Sequence, residues 1–327
     1  MADKLQRGDL ATVFGGTGFV GRYAVRALAK RGVRIRAAVR RPDLAGHLQP
    51  MGAVGQIHAV QANLRYSDSV QAATIGADYV VNLVAVLAST GKQTFDALHV
   101  DGARSVARAA REAGVRKFVH VSALGADPGA TSQYAQSKGM GEQAVLEEFP
   151  DAIILRPSIV FGPEDQFFNR FAKLAQSTPF LPLIGGGRTR FQPIYVMDLA
   201  DAIVASLSGM ANPGATYEIG GPEILSLRDV LDRVQGWSGR HRPYVSVPFA
   251  LAKLMAVLTW PLPNAARPLT LDQVRLLQAD NIVASTAIAE RRTLTDLGNA
   301  PPQSTGNIVP VYLERFRPRG QYSHYRG

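Results

Sequence analysis

The chain has 327 residues, of which 46% are hydrophobic and 19% charged, so it can form one large α/β domain with a smaller lobe, or two domains. It contains no cysteine, which excludes disulfides, Cys-ligated zinc, iron–sulfur clusters and a thiol nucleophile. Its net charge of +10 favours anionic partners: nucleotides, nucleic acid, acidic proteins or an anionic lipid surface. No secretory signal is visible, no run reaches the roughly 20 apolar residues of a membrane span, and the six histidines lack metal-ligand spacing.

Short apolar runs alternate with helical runs through the first half of the chain, a pattern typical of a parallel sheet covered by helices. We therefore expect a doubly wound α/β fold of the Rossmann type in residues 1–160. Six strands are predicted: Leu10–Phe14, Val33–Val39, Gln56–Val60, Tyr79–Val84, Lys117–Ser122 and Ala152–Leu155. Four helices are predicted between them: Gly18–Lys30, Ser67–Ile75, Phe95–Ala113 and Tyr134–Phe149.

The pattern loosens after Pro157, and we expect a smaller C-terminal lobe over residues 161–298, interleaved with the sheet. This lobe is predicted to contain the helices Phe167–Ser177, Asp198–Met210 and Leu227–Trp237, and the strand Thr216–Ile219. Residues 299–327 are rich in Pro, Gly and Arg, so we expect them to form an extended basic tail.

The glycine-rich segment Gly15-Gly16-Thr17-Gly18-Phe19-Val20-Gly21 lies between the first predicted strand and the first predicted helix. The backbone there must turn sharply, approach a pyrophosphate and pack the helix close to the sheet, and each task favours a residue without a Cβ. The helix N-terminus adds unpaired N–H groups and a partial positive charge. The spacing predicts a dinucleotide site rather than a tight turn without a ligand.

The end of the second strand distinguishes NAD from NADP. An NAD site places an acid there to bind the ribose 2′-hydroxyl, but in this stretch, which begins at Val33, no acid precedes Asp43. Arg40 and Arg41 stand in that position instead, and a guanidinium fork matches a 2′-phosphate. The alternative is that both arginines are solvated in a loop. We predict NADPH as the cofactor.

These motifs and three others, in the expected order, resemble the extended short-chain dehydrogenase/reductase family over roughly residues 10 to 221. The other three are Val81-Asn82-Leu83-Val84-Ala85, Tyr134-Ala135-Gln136-Ser137-Lys138 following Val121-Ser122-Ala123, and Leu155-Arg156-Pro157-Ser158-Ile159. The resemblance implies that the cofactor is contacted by these residues: Leu83, Val84, Ala85, Ser122, Tyr134, Lys138, Pro157 and Ile159. Asn63-Leu64 replaces the usual Asp-hydrophobic pair at the adenine, and His99 falls where many members have asparagine.

Tyr134 and Lys138 are four residues apart, so they share one face of a helix. A nearby ammonium and the nicotinamide ribose can lower the pKa of a phenol, which makes tyrosine an acid or base for carbonyl reduction. Ser122, at the end of the fifth strand, is placed to hydrogen-bond a substrate oxygen. We predict these three residues as a catalytic group that can persist for cofactor binding alone, without turnover.

Within that family, the chain resembles the accessory NADPH-binding subunits of respiratory complex I. The residues concerned include Lys138-Gly139-Met140-Gly141-Glu142, Phe161-Gly162-Pro163-Glu164-Asp165-Gln166-Phe167-Phe168-Asn169 and Gln192-Pro193-Ile194-Tyr195. The resemblance implies a tightly held NADPH and a structural or assembly role in the peripheral arm, with other complex I subunits as partners. It implies a peripheral position on the cytoplasmic face of a bacterial inner membrane, or the matrix side in mitochondria, and no nucleic acid.

Two further segments need a partner to be explained. Residues Phe249–Trp260 are apolar except for Lys253, so we expect them to be buried against a core, a protein or the headgroup region of a membrane. The C-terminal segment from Arg315 alternates Arg with aromatics and has no acid, which suits an acidic surface or a disordered tail.

Two alternatives to the accessory-subunit function stay open. The chain resembles active NADPH-dependent reductases or epimerases of the same family, and an NADP-sensing regulator that binds a partner protein fits the same cofactor site. The sequence alone does not choose a substrate.

Overall fold

Strands alternate with helices in the computed structural model, which describes residues 5–259 and 269–318. Its strands, in chain order, are β1 (Leu10–Phe14), β2 (Arg34–Val39), β3 (Ile57–Gln61), β4 (Tyr79–Asn82), β5 (Lys117–Val121), β6 (Ile153–Pro157), β7 (Val160–Phe161), β8 (Leu181–Ile184), β9 (Arg190–Phe191), β10 (Ile194–Tyr195), β11 (Thr216–Ile219), β12 (Leu225–Ser226) and β13 (Tyr244–Val247). The six strands predicted for the first half are present, each within two residues of its expected ends.

The α-helices of the described residues follow the same alternation. They are α1 (Phe19–Lys30), α2 (Ser67–Thr74), α3 (Asp101–Glu112), α4 (Gln133–Glu148), α5 (Phe168–Ser177), α6 (Val196–Ala205), α7 (Leu227–Ser238), α8 (Phe249–Leu258), α9 (Leu271–Leu276), α10 (Ser285–Ala289) and α11 (Thr305–Leu313). Among the residues described, no helix is both long enough and apolar enough to cross a bilayer.

Seven strands form one parallel sheet in the order β11-β6-β5-β4-β1-β2-β3. The direction of winding reverses between β1 and β4, and the carboxyl ends of those two strands flank the crevice where a doubly wound sheet binds its ligand. The central strands are mostly apolar, as parallel strands covered on both faces must be, and Phe14, Tyr79 and Phe118 are fully buried in the sheet. The predicted Rossmann fold is confirmed.

The chain divides into two units. The first comprises Met1–Pro157, Val196–Ile219 and Val283–Pro301, and the second comprises Ser158–Tyr195, Gly220–Ile282 and Pro302–Gly327. Two elements that we expected in the smaller lobe, α6 and β11, belong to the first unit. The reason is pairing: β11 lies parallel to β6 with Tyr217 opposite Leu155, so it extends the sheet.

The expected long helix over Phe95–Ala113 is interrupted. Its first part, Asp96–Val100, is a π-helical turn, and the α-helix begins only at Asp101. π-turns recur at functional sites, because the extra residue re-aims side chains.

In the same region β4 ends at Asn82 rather than Val84, since the Asn82 side chain accepts a hydrogen bond from the Val84 backbone N–H (3.2 Å) and turns the chain.

In the second unit, the described residues form three two-stranded sheets and the helices α5, α7, α8, α9 and α11. The prediction of an extended tail from residue 299 was wrong, because α11 lies within it. Val309 and Leu313, four residues apart, are fully buried in a cluster with Phe168, and the Tyr312 hydroxyl donates to Asp165 (2.5 Å). Residues after Pro318, including the last arginine of the predicted tail, lie outside the described residues, as does Trp260.

Candidate functional site

The glycine loop joins β1 to α1 at the carboxyl edge of the sheet. Gly15 has φ +82°, a conformation that side chains other than glycine rarely adopt. A Cβ on Gly21 would lie 2.1 Å from the Gly15 carbonyl oxygen, so the first turn of α1 can pack against the loop only without a side chain there. Gly18 caps α1 without a side-chain hydrogen bond, and the first turn holds no acid. The first N–H groups of α1, at Phe19 and Val20 after Thr17, therefore remain available to an anion.

The loop after β4 forms the wall opposite the glycine loop. A Cβ on Gly15 would lie 3.3 Å from the Leu83 carbonyl carbon and from a Val84 methyl, so the two loops approach closely. The Leu83 N–H donates to the Phe14 carbonyl (3.0 Å), which holds the loop to β1. Leu83, Val84 and Ala85 thus follow β4 at the edge where the sequence placed them, and their contact with a cofactor stays a prediction.

Arg40 and Arg41 leave the end of β2, and both are exposed. Arg41 is already paired: its guanidinium donates to both carboxylate oxygens of Asp43, at 3.0 Å and 2.7 Å. Within the described part of the chain, the Arg40 guanidinium has no hydrogen bond or ion pair. Arg40 is therefore the side chain with donors to offer a phosphate, whereas Arg41 must first give up part of its contact with Asp43.

Asn63 and Leu64 follow β3 and have structural partners within the chain. The Asn63 carboxamide oxygen accepts from the Arg65 N–H (3.2 Å), and its backbone N–H donates to the Ser69 hydroxyl (3.0 Å), so Asn63 shapes the turn before α2. Leu64 is 7% exposed, and a Cβ on Gly102 would lie 2.9 Å from its own Cβ. The predicted adenine contacts of this pair stay a prediction.

Tyr134 and Lys138 lie on α4, which Ser132 caps by accepting the Ala135 N–H (3.3 Å). Lys138 is 2% exposed, and its ammonium donates to the Val121 carbonyl at the end of β5 (3.0 Å). Burial lowers the pKa of Lys138 to about 8. Burial also raises the pKa of Tyr134 to about 12, so the phenol keeps its proton at neutral pH.

Ser122 immediately follows β5, next to the carbonyl that Lys138 contacts. Its hydroxyl is buried and has no hydrogen-bond partner within the described residues, and the residue is only 5% exposed. An orphaned buried hydroxyl is costly unless a ligand completes it. Together with the N–H groups at the start of α1, which no side chain caps, this hydroxyl fits a bound dinucleotide or a substrate oxygen.

His99 connects the loop after β4 to α4. Sequence analysis identified it only as a departure from the family pattern. Its Nε2 accepts the Val86 backbone N–H (3.0 Å), and its Nδ1 lies 2.9 Å from the Ser137 hydroxyl, which itself donates to the Tyr134 carbonyl. These partners assign one proton, on Nδ1, so the ring is neutral. Burial and the Lys138 charge lower the pKa of His99 to about 3.

The same histidine packs against the tyrosine of the predicted catalytic group. The ring centroids of His99 and Tyr134 are 5.6 Å apart, edge to face, and Phe95 packs against both rings. Sequence reasoning missed this arrangement because the π-turn that aims His99 inward has no marker in the residue pattern. His120, buried beside Asn82, is a second neutral imidazole, since burial and Lys138 lower its pKa.

Pro157 and Ile159 fall in different units. Pro157 ends β6, and its carbonyl accepts the Leu124 N–H (2.9 Å) within the first unit. Ile159 belongs to the second unit, where its N–H donates to the Asn281 carboxamide oxygen (3.2 Å) and its carbonyl accepts the Ile194 N–H (2.9 Å). Their predicted place beside the nicotinamide stays a prediction.

Comparisons with known proteins identify the family. A family model described as the NAD dependent epimerase/dehydratase family matches residues 11–220. A relative from Arabidopsis thaliana, named NADH dehydrogenase (ubiquinone) 1 alpha subcomplex subunit 9, mitochondrial, is 36% identical over 324 residues, which cover 96% of this chain and 79% of that protein. A relative from Caulobacter vibrioides, named ceramide reductase, is 36% identical over 199 residues, or 61% of each chain.

A solved structure agrees with the fold. The UDP-glucuronic acid 4-epimerase of Bacillus cereus, in complex with UDP-glucuronic acid and NAD, matches with a TM-score of 0.69 at 20% identity, over 94% of this chain and 99% of that one. The sheet order, the glycine loop and the matched range agree with the resemblance that the motifs predicted. The chain belongs to the NAD dependent epimerase/dehydratase family, which is the extended short-chain dehydrogenase/reductase family.

Proposed function

We propose that this chain is an accessory subunit of respiratory complex I that holds a structural NADPH and stabilises the peripheral arm. The observation that most supports the proposal is the 36% identity to a complex I subunit over 96% of the chain, since it spans both units rather than the nucleotide-binding motifs alone. The other complex I subunits are then its partners.

The choice of NADPH rests on the end of β2. No acid stands there to bind a ribose 2′-hydroxyl, and the exposed Arg40 guanidinium is free of other described partners. A charge-assisted hydrogen bond to a 2′-phosphate contributes about 1.5–3 kcal/mol. Asp43 opposes this attraction by its own charge, but its pairing with Arg41 partly offsets that charge.

A structural role is supported by the placement of the lysine, beside a phenol that is protonated at neutral pH. Bound NADPH supplies a hydride from its nicotinamide ring, and reduction of a carbonyl also needs a proton donor near neutral pKa. Burial raises the pKa of Tyr134 to about 12, and the Lys138 ammonium is directed to the Val121 carbonyl. In this arrangement Lys138 is suited to hold ribose hydroxyls while the phenol stays protonated.

The proposed position is peripheral, on the cytoplasmic face of a bacterial inner membrane, with the mitochondrial matrix side as the equivalent. The net charge of +10 favours acidic neighbours and anionic lipid.

A second function, an active NADPH-dependent reductase, is favoured by one observation. The buried Ser122 hydroxyl, which has no hydrogen-bond partner among the residues described, follows the Val121 carbonyl that Lys138 contacts, as an oxygen-binding group for a carbonyl substrate would. The 36% identity to a ceramide reductase over part of the chain adds to this alternative.

Purification from the native cells separates the two functions. The full-length protein is tagged, membranes are solubilised in mild detergent, and the eluate is assayed for NADH:ubiquinone oxidoreductase activity. We expect the tagged chain to elute with that activity and with the other subunits, and Tyr134→Phe to leave the activity unchanged. A chain that elutes alone, or a complex whose electron transfer is lost in Tyr134→Phe while the cofactor stays bound, would contradict the proposal.

A further inference from the structure

Close packing fixes the position of His99 in the first unit. Its backbone lies in the π-helical turn before α3, and a Cβ on Gly141 of α4 would lie 2.0 Å from the His99 carbonyl oxygen, so α4 packs against this turn without a side chain. The ring lies against Phe95 and Tyr134, with centroids 5.4 Å and 5.6 Å away. His99 is 2% exposed, so the direction of its ring is set by its neighbours.

The two ring nitrogens of His99 join segments that are far apart in the chain. Nε2 accepts the backbone N–H of Val86 (3.0 Å), and Nδ1 lies 2.9 Å from the Ser137 hydroxyl of α4. That hydroxyl donates its hydrogen to the Tyr134 carbonyl (2.9 Å), so it accepts from Nδ1. A neutral imidazole with its proton on Nδ1 satisfies both partners, and the ring thus connects the loop after β4 to α4.

Three backbone N–H groups fix the loop after β4, which comprises residues 83–86. The Leu83 N–H donates to the carbonyl of the last residue of β1 (3.0 Å), and the Val84 N–H donates to the carboxamide of the last residue of β4 (3.2 Å). The third donor is the Val86 N–H, and its acceptor is His99. The first two acceptors belong to the sheet, whereas His99 holds the far end of the loop from the side of the helices.

The loop after β4 is one wall of the predicted dinucleotide crevice. A Cβ on Gly15 would lie 3.3 Å from both the Leu83 carbonyl carbon and a Val84 methyl. The glycine loop opposite is itself fixed, because α1 packs against it without a side chain at Gly21. The width between the two loops therefore depends on where the loop after β4 is held.

We propose that His99 is a positioning residue of the dinucleotide site, which holds the loop after β4 at the distance from the glycine loop that the cofactor needs. This inference rests on the proposed cofactor site. It does not rest on the preference for NADPH, because a 2′-phosphate would lie at the end of β2 and not at the loop after β4. The group that the site requires is an acceptor at the position of Nε2.

Two substitutions separate this hydrogen bond from the rest of the ring. In His99→Gln, the side chain can place a carboxamide oxygen near the position of Nε2, where it accepts the Val86 N–H. In His99→Asn, the side chain is one methylene shorter and reaches only as far as the position of Nδ1. It can still donate to Ser137, but it leaves the Val86 N–H unpaired. Both variants lose the ring contacts with Phe95 and Tyr134, so each serves as the control for the other.

The full-length protein and both variants are titrated with NADPH and with NADH by calorimetry, and hydrogen exchange of residues 83–86 is measured without nucleotide. His99→Asn should lower the affinity for both nucleotides by about tenfold or more, because the loop loses one of its three hydrogen bonds and a partly buried N–H is left without an acceptor. It should also speed the exchange of the loop amides. His99→Gln should lower both affinities by about threefold or less and should keep the exchange close to that of the wild type.

Equal losses of affinity in the two variants would overturn the proposal, since lost packing of the ring would then explain both. Wild-type affinity in His99→Asn, or unchanged exchange of residues 83–86 in that variant, would overturn it as well. Failure of the proposed function gives a different result, in which the wild type prefers NADH or binds neither nucleotide. If it prefers NADH, the two variants are compared by their NADH affinities. If it binds neither, the hydrogen exchange decides whether His99 holds the loop.

Discussion

Helices α1 and α8 both bury small side chains, yet they turn opposite kinds of residue outward. Helix α1 buries Gly21 and Ala24 and exposes Arg26, whereas α8 buries Ala252 and exposes Leu258. The small residues of α1 are explained inside the chain, by the close approach of the helix to its own loop. The large residues facing outward on α8 have no such explanation among residues 5–259 and 269–318. The comparison teaches that a close-packed glycine can be explained by its own unit, whereas exposure of large apolar side chains cannot be explained by packing within the described residues.

The largest expected effect comes from a substitution that disrupts the close packing of α1 against the glycine loop. In Gly21→Ala, the new Cβ would meet the Gly15 carbonyl at 2.1 Å and Gly16 backbone atoms at 2.8 Å, and backbone atoms cannot move aside as a flexible side chain does. Overpacking of this kind costs about 3 kcal/mol or more of unfolding free energy. We expect a lower denaturation midpoint and loss of nucleotide binding.

Gly46→Ala is the matched control for that substitution. A Cβ on Gly46 meets no atom within 4 Å, and its φ lies outside the left-handed region, so the same added methyl should change stability by less than about 1 kcal/mol. Urea denaturation of both variants is the measurement. Equal stability of Gly21→Ala and Gly46→Ala would show that the loop does not constrain α1.

The next effect concerns Lys138 and is seen in the pH dependence of NADPH affinity. Burial lowers the pKa of Lys138 to about 8, so in the free protein the ammonium loses its proton as the pH rises through 8. If the ammonium donates to the cofactor ribose, NADPH binds the charged form better, and affinity falls as the pH rises above about 8. Below that pH the affinity should be nearly constant as far as this group is concerned.

Lys138→Met tests that assignment. This variant should lower the affinity for NADPH at pH 7 by about 10- to 100-fold, which corresponds to the loss of one charge-assisted hydrogen bond. It should also remove the fall in affinity above pH 8. Tyr134→Phe, one helical turn away, is the control, and it should leave both the affinity and its pH dependence unchanged. A Lys138→Met protein that binds NADPH as the wild type does would remove Lys138 from the cofactor site.

The alternation of strands and helices was predictable from the sequence, because β1 to β6 are short apolar runs and their helices end in glycine or begin after polar turns. The assignment of β11 to the sheet was not, since Thr216–Ile219 has the pattern of any short strand and only its pairing with β6 places it. The helix α11 was missed because its proline and glycine content outweighed the apolar spacing of Val309 and Leu313.

The candidate site was predictable at positions where a physical requirement can be met by only one type of residue. Gly15 and Gly21 are required by backbone approach, and Lys138 follows from its spacing to Tyr134. The pairing of Arg41 with Asp43 was not predictable, because it depends on side-chain conformations two residues apart. The inward direction of the His99 ring was not predictable either, since a π-turn sets it.

The smallest effects separate the two arginines at the end of β2. Arg41→Ala should lower the affinity for NADPH by about threefold or less, because an exposed guanidinium that is already paired with Asp43 contributes little to phosphate binding. Asp43→Asn removes a negative charge and frees Arg41, so it should strengthen NADPH binding by about threefold. Neither change should alter the affinity for NADH. An Arg41→Ala effect larger than that of Arg40→Ala would reverse the assignment.

The cofactor preference of the first unit is tested most directly by the ratio of the NADH and NADPH dissociation constants, measured by calorimetry on the wild type and on Arg40→Ala at fixed salt. We predict that the wild type binds NADPH at least about tenfold more tightly than NADH, and that Arg40→Ala removes most of that preference by weakening NADPH alone. Equal affinities in the wild type, a preference for NADH, or a loss of both nucleotides together in Arg40→Ala would contradict the proposal that this chain holds NADPH.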